Sequence, residues 1–363
     1  MKLCKKFWAL TVILVVLGLI TVLFAAGCGK TEGSKPKLAS ELNLFIWSEY
    51  IPQAVLDKFE QKYGIKVNQT NYSSNEEMLA KLQAGGTSQY DVAVASDYMV
   101  EIMLNQKQPI IQVIDLNNVP NLKNIDPQYR NKVFDPDNKY SVAYVCGSAV
   151  IAVNKDKIKE SIKSYKDLMN PKYKNSLVVL DDERAIIGIG LKLLGYSLNE
   201  TDEEKIKQAK DVVSKLIPNI KAYDSDSPKT LLINGEAAGG VVWSAEASLA
   251  KRENPNIEII FPEEGMYLWQ DNLVITQGAP HKKEAELFIN FILEPEISAM
   301  ISKEFPYTNP NLEARKLLDQ SVLEDKSAYP PQDVLAKGEF LRDVGEATKI
   351  YDELWSELKQ KIN

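Results

Sequence analysis

Three short segments each set an aromatic ring beside a carboxylate: Trp47-Ser48-Glu49-Tyr50, Trp243-Ser244-Ala245-Glu246 and Trp269-Gln270-Asp271. The chain has five tryptophans, and Trp8 lies in an apolar leader, so three of the other four sit in these segments. A protonated amine is drawn to the face of an indole or phenol by about 0.5–2 kcal/mol when partly desolvated. A neighbouring carboxylate adds a charge-assisted hydrogen bond. Gathered around one space, the three segments would form a box for an organic polycation.

Two further segments fit the same chemistry: Ser96-Asp97-Tyr98 and Asp181-Asp182-Glu183-Arg184. Each segment also has a plainer reading. Trp47 suits a core position before a solvated turn, and Ser96 and Asp97 suit a helix N-cap. Acids before Arg184 suit the positive end of a helix dipole. Asp271 is the strongest single residue, because a carboxylate between Trp269 and a Val/Ile strand needs a partner if buried. Paired carboxylates and aromatic platforms also suit a glycosidase, whose defining carboxylate separation a sequence does not give.

Other chemistries find less support. The lone His281 and the absence of a Cys-x-x-Cys pair argue against the common zinc sites and against His-based catalysis. Asp181-Asp182-Glu183 is too compact for a calcium loop and lacks its glycine. Gly188-Ile189-Gly190 lies inside a helical pattern and does not open a phosphate cradle. No catalytic residue, metal or cofactor is therefore assigned. The formal charge of −7, with three leader lysines included, disfavours nucleic acid and favours cationic ligands.

The elements that must position these residues alternate between strand and helix. Leu42–Trp47 reads as a strand, followed by a helix with Val55, Leu56, Phe59 and Tyr63 on its apolar face and Gly64 as its stop. Ser74 starts a second helix, and Asp91–Ala95 is an apolar strand running into Ser96. Further strands are predicted over 176–180, 237–243, 257–261 and 272–276. Helices are predicted over 184–194, 205–216, from Ala245, over 284–293 and over 345–361. This pattern indicates βαβ units around a largely parallel sheet. Trp47, Ser96, Tyr98, Asp182 and Trp243 all fall where a strand gives way to a helix. Ligands of open α/β sheets bind at those carboxyl ends. Cys146 stands alone in the globular part and reads as a buried structural thiol.

The N-terminus reads as a targeting segment. Lys2, Lys5 and Lys6 precede an uncharged run from Phe7 to Ala26, and Ala25-Ala26-Gly27-Cys28 resembles a bacterial lipobox. Residues 1–27 are then a signal peptide, Cys28 carries the lipid, and residues 28–40 are a flexible stalk. An uncleaved membrane anchor is the alternative. Both place the remaining chain outside the cytoplasmic membrane.

The order of motifs resembles the spermidine/putrescine-binding proteins of bacterial polyamine ABC transporters. The carrying segments are Phe45-Ile-Trp-Ser-Glu-Tyr50, Gly64-Ile-Lys-Val67, Ala95-Ser-Asp-Tyr98, Phe134–Ser141, Leu193-Leu-Gly-Tyr-Ser197, Trp269-Gln-Asp271, Tyr307-Thr-Asn-Pro-Asn311 and Arg315-Lys-Leu-Leu318. The resemblance implies an α/β, two-lobed periplasmic-binding-protein fold of type II, with the ligand clamped in a cleft between lobes joined by a hinge. Residues 41–147 and 270–315 would form one lobe, and 148–269 and 316–363 the other. It further implies that Trp47, Tyr98, Trp243, Trp269 and Tyr307 wall the site. Ser48, Tyr50 and Ser96 would supply polar contacts, and Asp182, Asp271 and Glu246 would take ammonium groups. The implied partners are a polyamine and the membrane permease of an ABC transporter, and the implied state is a monomer. Two departures bear on the ligand: Ala185 stands where relatives often carry an acid, and Leu341 where they often carry a glutamine. They leave putrescine against spermidine open. The competing readings are a surface-anchored hydrolase and a binder of the same fold for another solute.

Overall fold

In a computed structural model, residues 38–360 are described. The leader, Cys28 and the stalk up to residue 37 lie outside the described residues. The described residues form eleven strands: β1 (Glu41–Trp47), β2 (Lys66–Tyr72), β3 (Val92–Ser96), β4 (Ile111–Gln112), β5 (Ser141–Asn154), β6 (Leu177–Val179), β7 (Ile220–Tyr223), β8 (Gly239–Trp243), β9 (Ile257–Ile260), β10 (Tyr267–Thr276) and β11 (Glu339–Phe340). They run in the order β2-β1-β3-β10-β5-β8-β6-β7, with β4 and β11 on β10 and β9 on β5.

The sheet divides at β5. Residues Ser141–Ser148 pair with β10, and Ala149–Asn154 pair with β8 and β9. Two sub-sheets therefore meet along one 14-residue strand, giving the expected two-lobed α/β architecture. Within each sub-sheet the short strands are parallel: β1 with β2 and β3, and β6 with β7 and β8. β5 and β10, however, run antiparallel to their main neighbours, so the sheet is mixed, where the strand–helix alternation suggested a largely parallel one.

Local signals mostly did their expected work. Gly64, at φ 69°, closes the helix Gln53–Tyr63, and its N–H donates to the Glu60 carbonyl. The Ser74 side chain caps the helix Asn75–Gln83 by accepting from the Glu77 N–H at 3.1 Å. Leu44, Phe45, Val55 and Phe59 are fully buried, as a sheet covered by helices requires. The tail helix Thr348–Gln360 packs on the helices Glu183–Leu193 and Glu203–Val213 through Tyr351, Leu354 and Leu358.

Several strands differ from the reading of the sequence: β4, β5, β7 and β11 lie outside the predicted strands, and β10 starts early. β5 has nearly every residue buried, so it shows no alternation of apolar and polar residues. Its Gly147-Ser148 also interrupts the β-branched run. β10 begins at Tyr267, five residues before the predicted strand start, and buries all ten of its residues. Gln270 and Asp271 are poor strand formers, yet the pairing of β10 to both β3 and β5 overrides that preference.

The lone histidine has a structural post. The His281 N–H donates to Asp91 Oδ1 at 2.7 Å, and its ring Nδ1 lies 3.1 Å from Asp91 Oδ2. Cys146 is a free buried thiol, and burial pushes its pKa upward. Its backbone bridges to Thr308.

Candidate ligand-binding site

The carboxyl ends of the parallel strands from both sub-sheets converge. Trp47 ends β1, Ser96 ends β3, Asp182 caps the helix after β6, and Trp243 ends β8. β10 crosses between them. Strand alternation places Tyr267, Trp269 and Asp271 on one face of it, and all three line the same cavity as the strand-end residues. The cavity encloses ≈ 530 Å³ of empty space, part of it open to solvent.

Asp271 is the buried anion of this cavity, 3 % exposed. Tyr50 donates its hydroxyl to Oδ2 at 2.7 Å, and Ser96 donates to Oδ1 at 2.6 Å. Asn75 in turn donates to Ser96 Oγ at 3.1 Å, which holds that hydroxyl in place. Burial raises the Asp271 pKa to about 6, against the lowering effect of the Ser96 and Tyr50 hydroxyls. The Trp47 indole acts in the same lowering direction, although its Nε1–H makes no hydrogen bond of regular geometry. No cationic side chain neutralises this carboxylate: its hydrogen-bond donors among the described residues are hydroxyls.

A chain of edge-to-face rings forms the wall. Trp243 meets Trp269 at 5.9 Å, Trp269 meets Tyr307 at 5.1 Å, and Tyr307 meets Tyr50 at 5.5 Å. Each ring fixes the next at the separations aromatic pairs prefer. Gly147 on β5 makes room for this wall: a Cβ there would lie 2.4 Å from Trp269 Cζ2 and 2.9 Å from two further ring atoms. Gly147→Ala is therefore expected to push the indole into the cavity and to weaken ligand affinity by about fivefold, with an overpacking cost of about 1–3 kcal/mol. Calorimetric titration alongside thermal unfolding checks this, and an unchanged dissociation constant would show that the ring can move aside freely.

The remaining carboxylates differ in their partners. Asp182 accepts from the Ala185 backbone N–H at 2.8 Å, and burial pushes its pKa upward. Glu246, 4 % exposed, accepts from the Lys229 ammonium at 3.0 and 3.1 Å. Burial raises the Glu246 pKa to about 7 even though Lys229 lowers it. The same ammonium also pairs with Glu49. Glu49 occupies the left-handed region at φ 46°, a costly conformation for a residue with a Cβ.

Of the residues singled out in the sequence, Trp47, Ser48, Tyr50, Ser96, Asp182, Trp243, Glu246, Trp269, Asp271 and Tyr307 all line the cavity. Tyr98 does not. It is 3 % exposed, its hydroxyl donates to Glu76 Oε1 at 2.8 Å, and the Arg184 guanidinium lies 5.9 Å from its ring. Leu341 is buried and outside the lining. Trp355, which reads as a core residue of the tail helix, is half-buried against Tyr223 in an adjoining acidic groove. Glu49, the carboxylate of the first aromatic segment, lines the cavity too, whereas Asn75, Ser225, Asp226 and Tyr267 as lining residues, and Lys229 as a partner, were not singled out in the sequence. Tyr267 was within reach, since it precedes Trp269 by one strand repeat. Lys229 carried no signal of its own.

The profile of bacterial extracellular solute-binding proteins matches residues 54–330. The chain is 41% identical over 319 residues to the spermidine/putrescine-binding periplasmic protein of Salmonella typhimurium, covering 88% of this chain and 91% of that one. The Escherichia coli protein of the same name is 40% identical over the same coverage. A solved structure described as a putative spermidine/putrescine ABC transporter from Listeria monocytogenes superposes with a TM-score of 0.85 at 35% identity, covering 89% of this chain and all of that one. This chain belongs to the spermidine/putrescine-binding family of bacterial extracellular solute-binding proteins. As a solute-binding protein it works outside the cytoplasm. Among its described residues no helix is long and apolar enough to cross a membrane.

Proposed function

We propose that this solute-binding protein captures polyamines in the cavity and delivers them to the permease of an ABC transporter. The observation that carries the reading is Asp271, a buried carboxylate without a cationic partner among the described residues, walled by Trp269, Tyr307 and Trp47. An ammonium supplies the missing charge, and the rings cover the methylenes on either side. Asp182 takes a second ammonium. A polyamine of about ten heavy atoms, at a little under 1 kcal/mol per atom, reaches about −8 kcal/mol, the micromolar range.

Binding and release follow from closure of the two lobes, residues 41–147 with 270–315 and 148–269 with 316–363, about the segments they share. Closure excludes water and strengthens each charge contact. The closed shape is what the permease recognises, so ligand shifts an open–closed equilibrium. The protein acts as a monomeric carrier without catalytic turnover, held to the membrane by lipid on Cys28. A thermal-shift panel of putrescine, spermidine, sugars and amino acids tests the ligand class. Selective stabilisation by the amines, with the amine recovered unchanged, supports it. Stabilisation by a sugar with product formation would replace it with the hydrolase.

A pH profile gives a second check. The Asp271 pKa of about 6 lies above the ordinary 3.8. Between those values the folded protein holds a proton that the unfolded chain has released. The stability of the unliganded protein therefore falls as pH rises through that window, and levels off above it. A cationic ligand favours the ionised form, so affinity moves in the opposite direction. Binding at pH 5 is expected to be about tenfold weaker than at pH 8, and Asp271→Asn should flatten that dependence. Affinity independent of pH across this range would remove Asp271 from contact with the ligand.

A further inference from the structure

The Lys229 ammonium stands beside the cavity and pairs with two of its carboxylates. It is the second residue of the helix Pro228–Ile233, and its side chain is only 17 % exposed. Its Nζ donates to both oxygens of Glu246, to Glu49 and to Ser227 Oγ at 3.2 Å. Glu49 follows β1 in one sub-sheet, whereas Lys229 and Glu246 follow β7 and β8 in the other. The lysine therefore ties the two sides of the cavity together at one end.

Five carboxylates line the cavity, Glu49, Asp182, Asp226, Glu246 and Asp271, and this pairing neutralises two of them. Asp271 is held by hydroxyls and Asp182 by a backbone N–H, with the Arg184 charge nearby, and among the described residues neither forms an ion pair. Glu49 and Glu246 face the same cavity but share a cation that belongs to the chain. Glu246, Tyr307 and Asp271 all line this one cavity.

We infer that Lys229 acts as a built-in third ammonium that selects diamines over triamines. The inference rests on the polyamine reading above. A diamine places its two ammonium groups on Asp271 and Asp182 and leaves the lysine undisturbed. A triamine brings a further positive charge to the remaining acids of the cavity, Glu49, Asp226 and Glu246. There it meets the Lys229 ammonium, and in a water-poor cavity that repulsion is weakly screened. Discrimination thus comes from a repulsive element in the site, a common route to specificity.

The test is calorimetric titration of the protein and of Lys229→Met and Lys229→Arg with putrescine and spermidine. The unmodified protein is expected to bind putrescine at least about tenfold tighter than spermidine. Lys229→Met should move that ratio toward spermidine by about tenfold or more, while Lys229→Arg keeps the putrescine preference. If Lys229→Met is too unstable to titrate, the double variant Lys229→Met/Glu246→Gln removes the buried unpaired acid and should still lose the preference. A ratio unchanged within about threefold, or both amines weakened in parallel as a purely structural tie would give, overturns the inference alone. Failure of both amines to bind the unmodified protein overturns the polyamine reading and this inference with it.

Discussion

Asp271→Asn is expected to weaken polyamine binding by at least tenfold, and by about a hundredfold if the ammonium contact is fully desolvated, a loss of about 3 kcal/mol. The size of the effect comes from burial. The carboxylate is 3 % exposed and receives only the Tyr50 and Ser96 hydroxyls. It is thus prepared for a cation that the described residues do not supply. The same substitution should leave the unliganded protein as stable or more so. Holding this charge in a buried site, where its pKa rises from 3.8 to about 6, costs about 3 kcal/mol above that pH. Opposite movements of affinity and melting temperature are the signature of a functional charge. A variant that loses both would identify Asp271 as structural, and an unchanged dissociation constant would remove it from the site.

Trp269→Ala should lower affinity by about thirtyfold, from a lost cation–π face and a breached wall. The ring is 5 % exposed and stands between Trp243 and Tyr307, so its removal also frees both neighbours to move. A stability loss of about 3 kcal/mol should accompany it, as for other buried tryptophans. Trp355→Ala is the comparison. That ring packs against Tyr223 in the groove beyond the box and does not line the cavity itself, so its affinity loss should stay within about threefold. Titrations at a temperature where both variants are fully folded separate binding from stability. Equal losses at the two positions would mean that the ligand extends into the outer groove.

Much of the site was legible because its chemistry is local. A tryptophan next to an acid, or a serine at a strand end, can be read without knowing what lies opposite. Trp47, Ser96, Asp182 and Trp243 also announce their place, since each closes an apolar run and precedes a helical one. Asp271 was legible as a charge in apolar surroundings, although it lies inside β10 and not in a loop before it. Tyr98 shows the limit. Its motif matches the expected wall, but Glu76 takes its hydroxyl and its ring lies off the cavity. Nothing in Ser96-Asp97-Tyr98 reveals that competition, because Glu76 comes from a different helix.

By itself the sequence determined the α/β class, the family and a cation-seeking composition, because strand and helix periodicity and aromatic–acid adjacency are properties of neighbouring residues. Tertiary structure decided which charges stay available. Only the meeting of β1, β3 and β10 turns the Tyr50 and Ser96 hydroxyls onto Asp271, and only the approach of the two sub-sheets brings Lys229 to Glu49, 180 residues away. Residue type sets which charges a cavity has. The distance between residues far apart in the chain sets which of them are already neutralised, and that distance exists only in the folded protein.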